Sequence, residues 1–212
     1  MGSVTMARRM QMKSVPQKIQ TDLAALIQLA CRLGASGAAV ISASEICIED
    51  DLAKLCQEPQ CENYGLSASC PPHVPGPDGF REYQKQFQQA VVFKIDVPTE
   101  ILLSSQRREI FQLLHEIAAG VEQAAVEMGY SQSKGFAGGS CKNLFCRVHA
   151  DCRVLAEGGA CRHPHRARPS MSGFGINVSK LLQAAGWPMD RIIRDTDPDD
   201  VPMGAVSGLV LI

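Results

Sequence analysis

Three features of the sequence predict an α/β or α+β fold: a mixed sheet of about four strands, packed helices and two cysteine-rich loops. Four short apolar runs, Gly37–Ala43, Ala90–Val97, Gly135–Ala137 and Gly204–Ile212, have strand character. Between them, apolar residues recur at three- and four-residue steps, the period of a helix with one buried face. Two cysteine-rich stretches interrupt the alternation and hold too much Gly and Pro to be regular elements. The expected order is β-α-β-α-β-α-β, with the cysteine loops gathered at one end.

A chain of 212 residues can bury one full core, so residues 18–212 read as a single α/β domain behind a flexible leader at 1–17. The first helix is expected from Lys18 to Leu33, where Ile19, Leu23, Leu26, Ile27, Ala30 and Leu33 recur before Gly34. Cys31 falls in this helix and reads as a small buried hydrophobe. Asp78 caps a second helix through Phe80 and Tyr83. Pro98 closes the strand Ala90–Val97, and Thr99 caps the next helical region.

That region carries the longest stripe: Ile110, Leu114, Ile117, Val121, Ala124 and Met128, ending at Gly129. His115 lies off the stripe and reads as solvated. A last helix, Asn177–Ala185, is stopped by Gly186 and Pro188. Asp195, Asp197, Asp199 and Asp200 alternate like calcium ligands, but Pro198 interrupts them and no distal Glu follows. They read as a solvated turn.

A net charge of -1 and 5% aromatic content argue against a nucleic-acid binder. No run approaches the ~20 apolar residues of a membrane span, and the opening residues lack the continuous apolar segment of an export signal. The expectation is a cytoplasmic protein with neither nucleic acid nor membrane as partner. In that reducing setting, nine cysteines point to metal or catalysis rather than disulfides.

The densest group is Cys141-x4-Cys146-x5-Cys152-x8-Cys161, with Gly138 and Gly139 before it and Pro164 after it. Thiolates this close in sequence converge on a soft metal, a cluster or a disulfide pair. The other group is Cys56-x4-Cys61-x8-Cys70, followed by Pro71, Pro72 and His73. A long irregular loop in a compact domain needs a further source of order, which bound metal supplies. Zinc sites favour paired Cys-x2-4-Cys knuckles. This chain has no Cys-x2-Cys; its spacings of four, eight, four, five and eight reach only the wide end of that range, and such irregular spacing suits the well-separated corners of a cubane.

The sequence therefore favours one or two iron–sulfur clusters, [4Fe-4S] by preference, on Cys56, Cys61, Cys70, Cys141, Cys146, Cys152 and Cys161. Zinc is the alternative metal. The first group has three thiolates, and Cys47, His73 or an external ligand would complete it. Charge separates the two groups. Arg147, Arg153, Arg162, Arg166 and Arg168 surround the second, with His149, His163 and His165, whereas Glu49, Asp50, Asp51, Glu58 and Glu62 flank the first. Arginines near a negatively charged cubane would stabilise it or receive an anionic partner.

Other motifs are weaker. Gly135–Ser140 lacks the Walker lysine–hydroxyl pair, and Gly173-Phe-Gly175 has only part of a dinucleotide fingerprint. No cysteine stands out as a nucleophile beside a histidine base.

At these residues the chain resembles a family of predicted metal-binding proteins, domain of unknown function 2284. The resemblance rests on Cys56-x4-Cys61-x2-Tyr64-Gly65 with Cys70-Pro-Pro, and on Gly139-x-Cys141 through Cys161-Arg162-x-Pro164. Arg168-Pro-Ser-Met171 and Gly175-Ile-Asn-Val178 extend it, so it covers roughly residues 20–212. It departs from the family pattern at Ser172 and Asn177, where acidic residues are usual, so no carboxylate role carries over. The resemblance implies metal binding and names no reaction. The function expected is electron transfer or partner-dependent reduction, with a redox protein or an anionic small molecule as partner. A zinc-stabilised binding module without redox activity is the alternative.

Overall fold

A computed structural model of the chain describes residues 16–187, 192–193 and 195–212. The expected leader lies outside these residues up to position 15, as does Pro188. The helices are α1 (Gln17–Arg32), α2 (Asp50–Lys54), α3 (Gly76–Gln86), α4 (Thr99–Leu103), α5 (Arg107–Glu127), α6 (Cys141–Phe145), α7 (Arg153–Glu157) and α8 (Val178–Ala184). The strands are β1 (Gly37–Ser42), β2 (Gln89–Pro98), β3 (Lys134–Phe136) and β4 (Met203–Leu211), and short 3-10 turns occupy Ala43–Glu45 and Met171–Phe174. All four expected strands form, in one sheet ordered β1-β2-β4-β3. Neighbouring strands pair antiparallel, and an isolated parallel bridge joins Ala137 to Ser170 beyond β3.

Alternation along β2 divides the core between the two faces of the sheet. Val91, Phe93, Ile95 and Val97 point to one side, against Leu23, Leu26 and Ala30 of α1 and Leu114, Ile117 and Val121 of α5. Ala90 and Val92 point to the other, with Leu209 and Leu211 of β4, against Phe80, Phe136, Phe174 and Leu181. Phe136 meets Phe80 and Phe174 edge-on, at 5.2 and 5.1 Å between ring centroids. Truncating one of these rings to Ala would cost about 3–5 kcal/mol.

The sheet closes tightly at Gly208. A Cβ there would come within 2.5 Å of the Phe93 ring and 2.9 Å of the Phe136 carbonyl, so only glycine lets β4 run beneath that ring.

Cys31 departs from expectation, because it is exposed. The inward stripe of α1 is Leu23, Leu26 and Ala30, and Cys31 stands one residue, about 100°, beyond it. Residues 198–200 form an exposed or half-exposed turn, as the sequence suggests. No helix among the described residues is long and apolar enough to cross a membrane.

Candidate metal centre

Helix α5 is the floor of the site. Its apolar stripe faces the sheet. A second stripe, Arg108, Gln112, His115 and Glu122, holds the cysteine segment by side-chain hydrogen bonds. Arg108 Nη2 and Gln112 Nε2 both donate to the Leu144 carbonyl, at 2.9 and 2.6 Å. They supply the partners that a helix C-terminus such as that of α6 lacks within itself.

His115 is 0% exposed, which overturns its reading as solvated. Its Nδ1 accepts the Arg168 N–H at 3.1 Å, which leaves Nε2 protonated to donate to the Gly138 carbonyl at 2.9 Å. One imidazole thus ties the backbone before Cys141 to the backbone after Cys161. Burial pushes its pKa down to about 4 against the opposing effect of the Gly138 and Gly139 carbonyls, and the Arg168 charge assists burial. The apolar period reports only one face of a helix, whereas α5 has a second face covered by the cysteine segment.

The same helix redistributes the arginines. Arg166 pairs with Glu116 through Nε, at 2.7 Å, and through Nη2, with its guanidinium 4.6 Å from the centre of the Phe145 ring. Arg168 Nε donates to Glu122 at 3.0 Å, and that carboxylate also accepts the Gly135 N–H. These two arginines fasten the segment down, while Arg153 and Arg162 remain with the thiols.

Cys141, Cys146, Cys152 and Cys161 line one cavity together with Ser67, Lys142, Arg153 and Arg162. Gly139, at φ +83°, makes the turn that brings Cys141 to the first position of α6. Cys146 is the C-cap of α6, and Cys152 is the N-cap of α7. Burial raises the Cys141 thiol against the Ser69 and Ser67 hydroxyls. Burial likewise raises the Cys146 thiol, with Cys161 adding to it and Arg162 opposing.

Cys152 behaves oppositely. Burial acts to raise it, but the N–H groups of Ala68, Leu155 and Val154 and the Arg162 guanidinium outweigh burial, so its pKa is lowered. The His163 N–H also donates to Cys161 Sγ at 3.3 Å.

In the first group, burial raises the Cys56 thiol, with further contributions from Cys61 and Cys70. Cys70 is buried, Cys56 half-buried and Cys61 exposed. His73 is exposed, with its Nε2 3.3 Å from the Gly65 carbonyl. Cys47 belongs to a different cluster: its Sγ lies 3.7 Å from Glu49 Oε1, which also accepts from Asn177 Nδ2 and Lys180 Nζ. Asn177 caps α8 by accepting the Lys180 N–H at 3.0 Å, a role that asparagine fills as well as aspartate.

The two groups interlock, which sequence reasoning did not foresee. Cys70 Sγ lies 3.3 Å from Ser140 Oγ, and Cys141 Sγ lies 3.3 Å from Ser69 Oγ. Each thiol donates to the hydroxyl that precedes the other cysteine; as a thiolate, it would accept that hydroxyl's proton instead. The Ser170 N–H donates to the Ser69 carbonyl at 3.0 Å and fixes the first loop against the second segment. Ser67, 1% exposed, stands near Cys141 with its hydroxyl outside normal hydrogen-bond geometry. A buried hydroxyl without a partner at a thiol-lined cavity fits a site that takes an electron-rich group.

Sequence signals for the missed residues did exist. Arg108, Gln112, His115 and Glu122 fall at helical intervals of four, three and seven, and Ser-Cys occurs at both 69–70 and 140–141. The donor set of four thiols around one cavity fits a soft metal or an iron–sulfur cluster. Among the described residues, no group of three or more His, Cys, Asp or Glu side chains is gathered closely enough to hold a single metal ion.

This arrangement, a cysteine-lined cavity braced beneath by a helix and an antiparallel sheet, defines a candidate thiolate metal protein. Residues 39–212 match DUF2284, and the chain belongs to this family of predicted metal-binding proteins. No curated protein and no solved structure matches it.

Proposed function

We propose that Cys141, Cys146, Cys152 and Cys161 hold an iron–sulfur cluster, of the [4Fe-4S] kind, and that the protein serves in electron transfer or in a reduction carried out with a partner. The observation that carries this reading is the convergence of these four cysteines on one cavity. Such a cluster, when bound, supplies reversible one-electron chemistry. The chain's own part is to present sulfur and tune its charge. Arg162 and the N–H groups of Ala68, Val154 and Leu155 favour the Cys152 thiolate, while Lys142 and Arg162 act on Cys146 in the same sense. The Ser67 hydroxyl is available as a further donor.

Cys56, Cys61 and Cys70 form a second, more open ligand group whose fourth partner is His73 or an external molecule. Cys47 is engaged by the Glu49 cluster instead. All nine cysteines are free thiols, which suits the reducing cytoplasm. The partner meets the loop between Cys146 and Cys152, where Arg147 and His149 flank Val148, which is 90% exposed. This surface suits an acidic redox protein or an anionic molecule.

Anaerobic purification followed by iron, sulfide and zinc analysis tests the reading. Iron and acid-labile sulfide in about equal amounts, with broad absorption near ~400 nm, are expected for a cubane. Stoichiometric zinc in a colourless protein would replace this reading with the zinc-stabilised binding module.

A further inference from the structure

A second cavity lies beside the cysteine site, and of its lining side chains only those of His73, Glu122 and Arg168 have roles assigned above at the cysteine groups. It is a cleft of about 320 Å³, within the range of small-molecule sites. A partition of the same backbone separates the two. Ser67 and Ala167 line the cysteine cavity, whereas their chain neighbours Ala68 and Arg168 line the cleft. The Ser170–Ser69 hydrogen bond knits the two segments of that partition together.

The electrostatics of the cleft are unbalanced. The Arg168 charge is paired with Glu122 through Nε, and the Pro164 and Ala167 carbonyls take its Nη1. The Glu122 charge is paired in turn, its Oε2 accepting from both Arg168 and the Gly135 N–H. Lys134 is different: its ammonium stands 5.2 Å from the centre of the Tyr83 ring, and among the described residues no carboxylate pairs with it. Ser133, also lining the cleft, has a buried hydroxyl with no hydrogen-bond partner. Tyr83, Val74 and Pro75 add flat apolar wall, and the exposed His73 stands at the rim.

We infer that this cleft binds a small planar monocarboxylate, with its charge on Lys134 and its flat body against Tyr83, Val74 and Pro75. One uncompensated cation calls for one anionic charge, and the apolar wall favours a planar body over a compact, strongly hydrated anion. A ligand there would lie across the partition from the cysteine cavity. Binding itself stands independently of what the cysteines hold.

Calorimetric titration of the anaerobically purified protein with benzoate, benzamide and acetate tests the inference. Benzoate should bind saturably, with benzamide at least tenfold weaker for want of charge and acetate at least tenfold weaker for want of a planar body. Lys134→Gln should weaken benzoate at least tenfold and leave benzamide unchanged. Lys18→Gln, which removes a comparable ammonium from above the Tyr130 ring on α1, should change neither. Far-UV circular dichroism and melting temperature check that Lys134→Gln folds; this half-exposed side chain leaves the core intact. Absence of saturable benzoate binding, equal affinity for the three probes, or full benzoate affinity in Lys134→Gln would overturn the assignment.

Discussion

The two cysteine groups are built in different ways. The second is fastened to the longest helix of the described chain: Arg108 and Gln112 hold Leu144, His115 joins Gly138 to Arg168, and Glu116 and Glu122 hold Arg166 and Arg168. The first is a loop that no comparable helix of the described residues holds by side-chain hydrogen bonds, with internal contacts such as Cys61 N to Cys56 O and Gly65 N to Pro71 O. It gains external support where it meets the second group, at Ser69 and Cys70, at Ala68 beside Cys152 and at Glu62, which accepts from Asn143. One site is therefore braced by the fold before anything binds, whereas the other depends on its neighbour and on whatever its thiols hold. If both groups hold metal, that difference would put the more stable centre on the second group and the more reactive one on the first.

The largest effect should come from Cys146→Ala. On the proposed reading this removes one of four ligands, so the iron and sulfide assigned to the second group should disappear and residues 138–168 should become sensitive to protease. Full retention of iron and sulfide would take Cys146 out of the ligand set.

The brace itself gives the next largest effect. The unfolded chain takes up a proton on His115 near pH 6.5, but the native state, with a pKa of about 4, does not. The contribution of this histidine is therefore fully present above about pH 6.5 and is lost as pH falls to about 4, a loss of about 3 kcal/mol. Denaturant titrations across that window should show the fall in the wild type and a flatter profile in His115→Gln. Parallel profiles would mean that this imidazole does not govern the acid limb.

A smaller effect sharpens the electrostatic side of the comparison. If both groups carry clusters, the second should have the higher reduction potential, because Arg162 and Lys142 sit at its thiols, whereas Glu58 and Glu62 flank the first. Arg162→Gln should lower the potential of the second centre by tens of millivolts, read by potentiometric titration. The reverse order of the two centres would defeat the charge argument.

The smallest effects should come from two peripheral changes. Glu116→Gln breaks a partly exposed ion pair and should cost less than about 1 kcal/mol in chemical denaturation. Cys47→Ser should leave the spectrum of the first centre unchanged, since Cys47 lies with Glu49 rather than with Cys56, Cys61 and Cys70. Loss of that centre in Cys47→Ser would make Cys47 its fourth ligand after all.

Local signals made the scaffold legible. The strand Ala90–Val97 and the stripe from Ile110 to Met128 are properties of contiguous residues, and both elements form where their periods place them. The cysteines were legible as candidates because their chemistry and density need no tertiary information. What stayed hidden was long-range. The Ser–Cys interlock joins residues 70 and 72 positions apart, and His115 meets Arg168 across 53. A helix with a second, polar face against the cysteine segment shows only its apolar face to a periodicity argument, so His115 read as solvated. The charge reading erred in the same direction, because it compared arginines with carboxylates nearby in sequence and overlooked Glu116 and Glu122 on α5.

The central claim is that the second group alone completes a centre, and iron and sulfide analysis of the combined Cys56→Ser, Cys61→Ser and Cys70→Ser variant tests it most directly. Purified anaerobically, this protein should keep about four iron and four sulfide per chain, with absorption near ~400 nm, as one cubane requires. A colourless product, or iron and sulfide near zero with Cys141, Cys146, Cys152 and Cys161 all intact, would contradict the account.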